Sequence, residues 1–170
     1  MIILSLGSNL PSKFGDRFDN LNLAITFLES CGILIDKKSS FYETPSYPDK
    51  NNPKFINTIV SVNTSLPPVD LLSVLIYIEE KLERKRNKKN EPRTCDIDII
   101  DYNNKIINLN YKNLKLEIPH KELSSRNFVL FPLFEISPNW QHPKTGDSIS
   151  SLIDKLNKYD RKSILKVKKN

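Results

Sequence analysis

Pro92-Arg93-Thr94-Cys95-Asp96-Ile97-Asp98-Ile99-Ile100 reads as a loop that ends in Pro-Arg and passes directly into a strand. Side chains alternate across a strand, so Asp96 and Asp98 share one face while Cys95, Ile97 and Ile99 take the other. Two carboxylates on one sheet face repel each other unless positive charge lies between them. A hard divalent cation, a cluster of Arg and Lys, or both would supply that charge. Just upstream, the stretch from Lys81 to Lys89 is heavily basic. Acids suited to a metal beside bases suited to anions describe a site for a metal–polyphosphate complex.

Working outward, Ile2 to Leu6 reads as a short buried strand broken by Gly7-Ser8-Asn9-Leu10-Pro11. Phe18, Leu21, Ile25 and Leu28 then recur at helical spacing, with Gly32 as the stop. A second strand starts at Ile33 and runs toward Phe41 and Tyr42. Glu43 to Pro53 holds three prolines and is a loop. Phe55 to Thr64 alternates as a long strand, with Ile56, Val60 and Val62 on one face and Phe55, Asn57 and Ile59 on the other. Pro67-Pro68 opens a second helix with an apolar stripe of Leu71, Leu75, Ile78 and Leu82. The helix gives way to the polar run Arg84 to Glu91, and the Asp96 strand follows.

Ile106 and Ile107 are expected to supply a small hairpin partner. Ser125 to Ile136 reads as helical in part, interrupted at Pro132. Ser151 to Leu156 is a short helix and Ile164 to Val167 a last strand. The order strand, helix, strand, strand, helix, strand matches the split βαβ pattern. It predicts an α+β fold, a ferredoxin-like βαββαβ sandwich with a C-terminal extension. The 170 residues are expected to form one domain, 1–170.

No apolar run approaches the ~18 residues that a membrane span requires. The first residues are too short and too uncharged for a signal peptide. The two cysteines, Cys31 and Cys95, make neither a disulfide framework nor a zinc site. A reducing, cytoplasmic setting is the expectation. The net charge of +6 admits either nucleic acid or a small anionic substrate.

Four separated blocks, taken together, resemble the 6-hydroxymethyl-7,8-dihydropterin pyrophosphokinase family of folate biosynthesis. They are Leu6-Gly7-Ser8-Asn9-Leu10, Phe41-Tyr42-Glu43-Thr44-Pro45, Pro92 through Asp98, and Pro119-His120 followed by Arg126-Asn127-Phe128-Val129-Leu130-Phe131-Pro132-Leu133. The resemblance implies a ferredoxin-like fold and transfer of a pyrophosphoryl group from ATP to the pterin's hydroxymethyl oxygen, with AMP leaving. It implies that Asp96 and Asp98 hold two Mg²⁺ ions and that Arg84 and Arg93 are catalytic. Phe55 and Phe128 would stack on the pterin, with Asn57, Thr44 and Pro45 beside it. Glu79, Arg86, Ile99, Lys115, His120 and Arg126 would face ATP. A monomer acting on two small molecules, without nucleic acid or membrane, follows from that picture.

The chain also departs from the family pattern. Glu83 stands where a glycine is usual before the first arginine, and Asn90-Glu91 where Trp or Gly commonly precedes Pro-Arg-Thr. Ile76 takes a position often held by glutamine. These changes bear on loop closure and ATP affinity, and admit an inactive relative. An RNA-binding ferredoxin-like module would carry a Lys/Arg-Gly-Phe/Tyr-type motif, and none is present. A metal-dependent phosphohydrolase or nuclease could use the same Asp pair, with water as acceptor.

Overall fold

The computed structural model describes residues 1–85, 90–111 and 114–169. Strand β1 (Ile2–Ser8) and helix α1 (Arg17–Ser30) come first, then β2 (Leu34–Lys38), β3 (Phe41–Thr44) and β4 (Phe55–Asn63). Helix α2 (Pro68–Lys81) leads to β5 (Asp96–Tyr102), followed by β6 (Ile107–Tyr111) and β7 (Leu114–Ile118). Helices α3 (Asn127–Ile136), α4 (Ile149–Lys155) and α5 (Lys158–Lys162) precede β8 (Leu165–Val167). The main sheet is antiparallel in the order β5-β1-β4-β3-β8, with β2 also paired to β4.

Period-two alternation puts two cores on the two faces of this sheet. Ile2, Leu4 and Leu6 of β1 join Ile56, Val60 and Val62 of β4 and Ile97 and Ile99 of β5 beneath α1 and α2. Leu71, Leu75, Ile78 and Leu82 are fully buried there, as their stripe predicts. On the opposite face Ile3, Ile59 and Ile100 pack against Val129, Leu130 and Leu133 of α3 and Ile149 and Leu152 of α4. Truncating one of these leucines to Ala would cost about 2–5 kcal/mol.

Local chemistry sets the element ends. Asp16 caps α1 by accepting from the amides of Phe18 and Asp19, and Asp19 returns a bond to the Asp16 amide. At the other end Gly32 takes φ +76. Its amide bonds Glu29 while that of Ile33 bonds Leu28, the Schellman closure.

Three expectations need correction. The strand from Ile33 to Tyr42 is two strands, because Ser39 turns inward and its Oγ accepts the Ile59 amide at 3.0 Å in place of a ladder carbonyl. Pro132 does not interrupt α3, whose buried face of Val129, Leu130, Leu133 and Ile136 runs through it. The hairpin near Ile107 forms its own two-stranded sheet, from which Leu116 and Ile118 enter the first core. The expected last strand is present as β8, which joins the main sheet beside β3, and the extension also contributes helix α5, capped by Asn157.

Glu135, near the end of α3, ties that strand in place. It accepts from the Ser40 amide and hydroxyl, from Tyr42 OH at 2.8 Å and from Lys166 Nζ at 3.2 Å. Burial pushes its carboxyl up, but the bonds from Tyr42, Ser40 and Lys166 outweigh burial and hold it below the ordinary glutamate value. A depressed folded-state pKa gives stability that is present above the unfolded value and lost as pH falls through the folded one. Glu135→Gln is therefore expected to melt lower than the parent at pH 7. The two melting curves should converge as pH falls through and below the ordinary glutamate range, as thermal unfolding against pH would show.

Candidate active site

Register on the sheet builds the site. Gly7 of β1 lies between Asn57 of β4 and Asp96 of β5, so these three form one row across the sheet. The next row is Ile59, Ser5 and Asp98. Paired residues in adjacent strands share a face. The aspartates therefore stand on the face that carries α3, while Cys95, Ile97 and Ile99 are buried beneath α2. A side chain at Gly7 would crowd its neighbours. A Cβ there would sit 3.1 Å from Asn57 Oδ1 and 3.6 Å from Phe55 Cδ1.

Three arginines from three segments converge on the aspartates. Arg93 donates to Asp96 Oδ2 through Nε at 2.8 Å and Nη2 at 2.6 Å. Arg84, just past α2, donates through Nη1 to Asp96 Oδ1 and to Glu79 Oε1. Arg126, at the entry to α3, donates to Asp98 Oδ2 at 3.1 Å. His120 Nε2 lies 4.0 Å from the same oxygen. The Glu122 amide donates to His120 Nδ1 at 3.2 Å, which leaves the ring proton on Nε2, facing Asp98.

The two carboxyls are driven apart. Burial raises Asp96, but Arg93 and Arg84 outweigh it and leave that carboxyl below its ordinary value. Asp98 is raised, by burial first and by the Asp96 charge second, against the pull of His120 and Arg126. Burial also lowers His120, assisted by Arg126, which favours the neutral ring. Like-charge repulsion on Asp98 persists after the arginines have acted. The two adjacent hard-oxygen donors are of the kind a divalent cation takes, while among the described residues no group of three or more His, Cys, Asp or Glu is assembled around them to hold one.

These groups line a cleft of about 390 Å³. Glu79, Arg84, Arg93, Asp96, Asp98, Lys115, His120 and Arg126 all reach it. Glu79 is buried to 2 % exposure and also accepts the Ile97 amide at 2.7 Å, so it anchors Arg84 and the start of β5. Ile76, at the position where glutamine is usual, lines the same wall. Ile99 faces a smaller adjoining hollow with Lys115, Glu117, His120 and Lys121. Arg86 lies outside the described residues.

The expected stacking residues stand beside the cleft, across the Gly7 row. Arg93 lies 5.0 Å from the Phe55 ring centroid and Arg126 lies 5.4 Å from that of Phe128, so a guanidinium sits over each ring. The Asn57 amide donates to Thr44 Oγ1 at 3.0 Å and to the Tyr42 carbonyl at 3.4 Å. That fixes its orientation and leaves Oδ1 over Gly7. Thr44 is buried and Pro45 half-buried at the start of the loop that follows.

The sequence reading missed Asn9. Its side chain donates to Ser46 Oγ at 3.2 Å and to the Pro53 carbonyl at 3.0 Å, closing the neck of that loop. Its Oδ1 accepts the Arg93 amide at 2.7 Å, and its own amide donates to the Arg93 carbonyl. One buried side chain thus joins the 45–53 loop to the segment that carries Arg93. Its place inside the Gly7-Ser8-Asn9 block was the available signal. Two departures noted in the sequence, Glu83 and Asn90, both adopt left-handed backbone, with φ +66 and +63. Glu83 is held by Lys13, through its ammonium at 3.2 Å and its amide at 3.2 Å.

Known proteins resemble this chain in sequence and in fold. The family model described as 7,8-dihydro-6-hydroxymethylpterin-pyrophosphokinase (HPPK) matches residues 3–138. The 2-amino-4-hydroxy-6-hydroxymethyldihydropteridine pyrophosphokinase of Synechocystis sp. is 37% identical over 91% of this chain and 75% of its own. That of Aquifex aeolicus is 37% identical over 84% of this chain and 83% of its own. The folic acid synthesis protein fol1 of Pneumocystis carinii is 40% identical over 96% of this chain, which spans 21% of that longer protein. A crystal structure of Plasmodium falciparum HPPK-DHPS, a triple mutant with SDX-DHP, superposes with TM-score 0.72. It is 19% identical over 91% of this chain and 44% of its own, a likeness of fold. By family match and by relatives of similar length, the chain belongs to the 7,8-dihydro-6-hydroxymethylpterin-pyrophosphokinase family.

Proposed function

We propose that this chain transfers a pyrophosphoryl group from ATP to the hydroxymethyl oxygen of 6-hydroxymethyl-7,8-dihydropterin. An O–P bond forms to the β-phosphorus, the bond from that phosphorus to the α,β-bridging oxygen breaks, and AMP leaves. The hydroxyl proton is lost to solvent. The observation that carries this reading is the shared row of Asn57, Gly7 and Asp96, which puts an amide edge and a carboxylate pair side by side on one sheet face. A flat hydrogen-bonding heterocycle at the first and a polyphosphate at the second would meet over β1.

Each group has a role in that scheme. Asp96 and Asp98 would hold two Mg²⁺ ions, whose chemistry is to neutralise phosphate charge and orient the oxygens. Arg84 and Arg93 would exchange Asp96 for phosphate oxygens, a trade between equivalent charge-assisted bonds. His120 would donate from Nε2, and Arg126 and Lys115 would hold the phosphates. Arg86 belongs to the same expectation. Phe55 and Phe128 would take the pterin between them where guanidinium now lies, since their π faces already attract a polar plane. Thr44, Pro45 and the Asn57 carbonyl would meet its edge. Catalysis here is positioning and charge neutralisation.

The same reading takes the chain as one pyrophosphokinase domain, 1–170, working as a monomer in the cytoplasm. The sheet order β5-β1-β4 followed by β2 and β3, with α1 and α2 on one face, supports the ferredoxin-like description. The C-terminal strand then adds to one edge. Free Cys31 and Cys95 suit a reducing compartment. Among the described residues no helix is long and apolar enough to cross a membrane.

The deciding experiment separates AMP from ADP after incubation with ATP, Mg²⁺ and the pterin. AMP that forms only with pterin present is expected. ADP formed without pterin would replace this reading with hydrolysis at the γ-phosphate. Asp98→Ala is expected to lower kcat by roughly 10³-fold or more, as loss of a charge-stabilising group does. Its melting temperature should change little, because relief of burial and of the Asp96 repulsion offsets loss of the Arg126 bond. Unfolding of the variant would make the aspartate structural. Phe128→Ala is expected to weaken pterin binding by about tenfold or more, with ATP affinity within about twofold. Equal loss of both, measured calorimetrically, would sink the stacking role.

A further inference from the structure

Residues 157–167 lie beyond the part of the chain that the family model matches, yet they touch both walls of the proposed pterin pocket. Asn127, between Arg126 and Phe128 at the start of α3, is 8% exposed. Its amide donates backward to the Asp160 carbonyl at 2.6 Å and to Ser163 Oγ at 3.2 Å. Arg126 has no side-chain cap to offer this helix end. The grip on Asn127 therefore comes from the C-terminal segment.

The other wall is the 45–53 loop. Lys50 places its ammonium 4.0 Å from the centroid of the Tyr159 ring, one residue before Asp160. Asn157 fixes the turn that carries both, accepting the Asp160 amide at 2.9 Å and donating to Asp160 Oδ2 at 2.6 Å. Beyond it, β8 pairs with β3 from Glu43↔Leu165 to Phe41↔Val167, directly before Thr44 and Pro45. A single short segment thus holds the helix end bearing Phe128, the loop beginning at Pro45 and the strand that feeds it.

We propose that Asn127 and Tyr159 are positioning residues, through which the C-terminal segment sets the separation of the two pterin-facing walls. This rests on the pterin assignment above. Neither side chain reaches the cleft where Arg84, Arg93, Asp96 and Lys115 converge. Their influence should therefore fall on the pterin side of the reaction. A side chain that merely stabilised the fold would disturb both substrates alike or neither.

The test compares Asn127→Ala, Tyr159→Ala and Tyr159→Phe with the parent in steady-state assays. Both alanine variants are expected to raise KM for the pterin by about five- to tenfold, with KM for ATP within about twofold. Tyr159→Phe keeps the ring under Lys50 and should behave as the parent. Unchanged pterin KM in both alanine variants would overturn the proposal, as would an equal rise in both KM values. Tyr159 is half-exposed, so Tyr159→Ala carries the test if Asn127→Ala does not fold. If the parent makes no AMP from pterin, it is the pterin assignment that fails. The positioning claim is then read by hydrogen–deuterium exchange. Faster exchange at both 45–53 and 126–130 in the alanine variants would support it, and unchanged exchange would overturn it.

Discussion

Two carboxylates locked into adjacent rows of a sheet cannot both stay ionised in a half-buried cleft without cations beside them. Most of the site's organisation follows from that demand. Arg84 comes from the end of α2, Arg93 from the loop before β5, and Arg126 from the entry to α3. Each is drawn to the same pair of acids, so three segments distant in sequence are fastened to one strand. The same bonds keep the guanidiniums desolvated and aligned, at a place where polyphosphate oxygens would find them. The acids therefore assemble the anion-binding groups as well as offering oxygen ligands of their own.

The second organising element is the central strand. β1 pairs on both sides, so its residues set which positions of β4 and β5 stand together. At Gly7 the absence of a side chain leaves a floor between Asn57 and Asp96, and any Cβ would press on the Asn57 carbonyl. A proposed heterocycle site and a proposed phosphate site can share one wall only if that wall is flat. Two residues later Asn9 ties both neighbouring loops together. Binding on either side of β1 would thus be felt through one short motif.

Much of this was legible in the chain because it is periodic. The alternation through Asp96, Ile97, Asp98 and Ile99 placed the acids on one face, and the leucine stripe of α2 placed the other. Pairwise contacts over long separations carry no such signal. Asn9 reads as one more polar residue in a turn until Ser46, Pro53 and Arg93 are seen around it. Ser39 splits a strand by using its hydroxyl as a ladder acceptor, which no propensity records. Pro132 reads as an interruption, yet packing of the apolar residues around it against Ile3 and Ile59 outweighs the missing amide bond. The β5 bulge is another case. Pairing shifts between Ile3 and Leu4, so Ile100 and Asp101 enter the same core, where Asp101 accepts from Trp140 Nε1 at 2.8 Å.

Glu83 occupies a left-handed conformation that a glycine would take freely, at a cost of roughly 1–2 kcal/mol for a residue with a side chain. What it gains is the link to Lys13, which joins the root of the Arg84 segment to the turn between β1 and α1. The backbone cost is constant, whereas the ammonium link between two exposed side chains weakens as counterions accumulate. A glycine at this point would relieve the backbone cost and forgo the link to Lys13. Arg84 itself stays held by buried Glu79 and by Asp96, so what added salt loosens is the tie between the β1–α1 turn and the end of α2, not the guanidinium in the cleft.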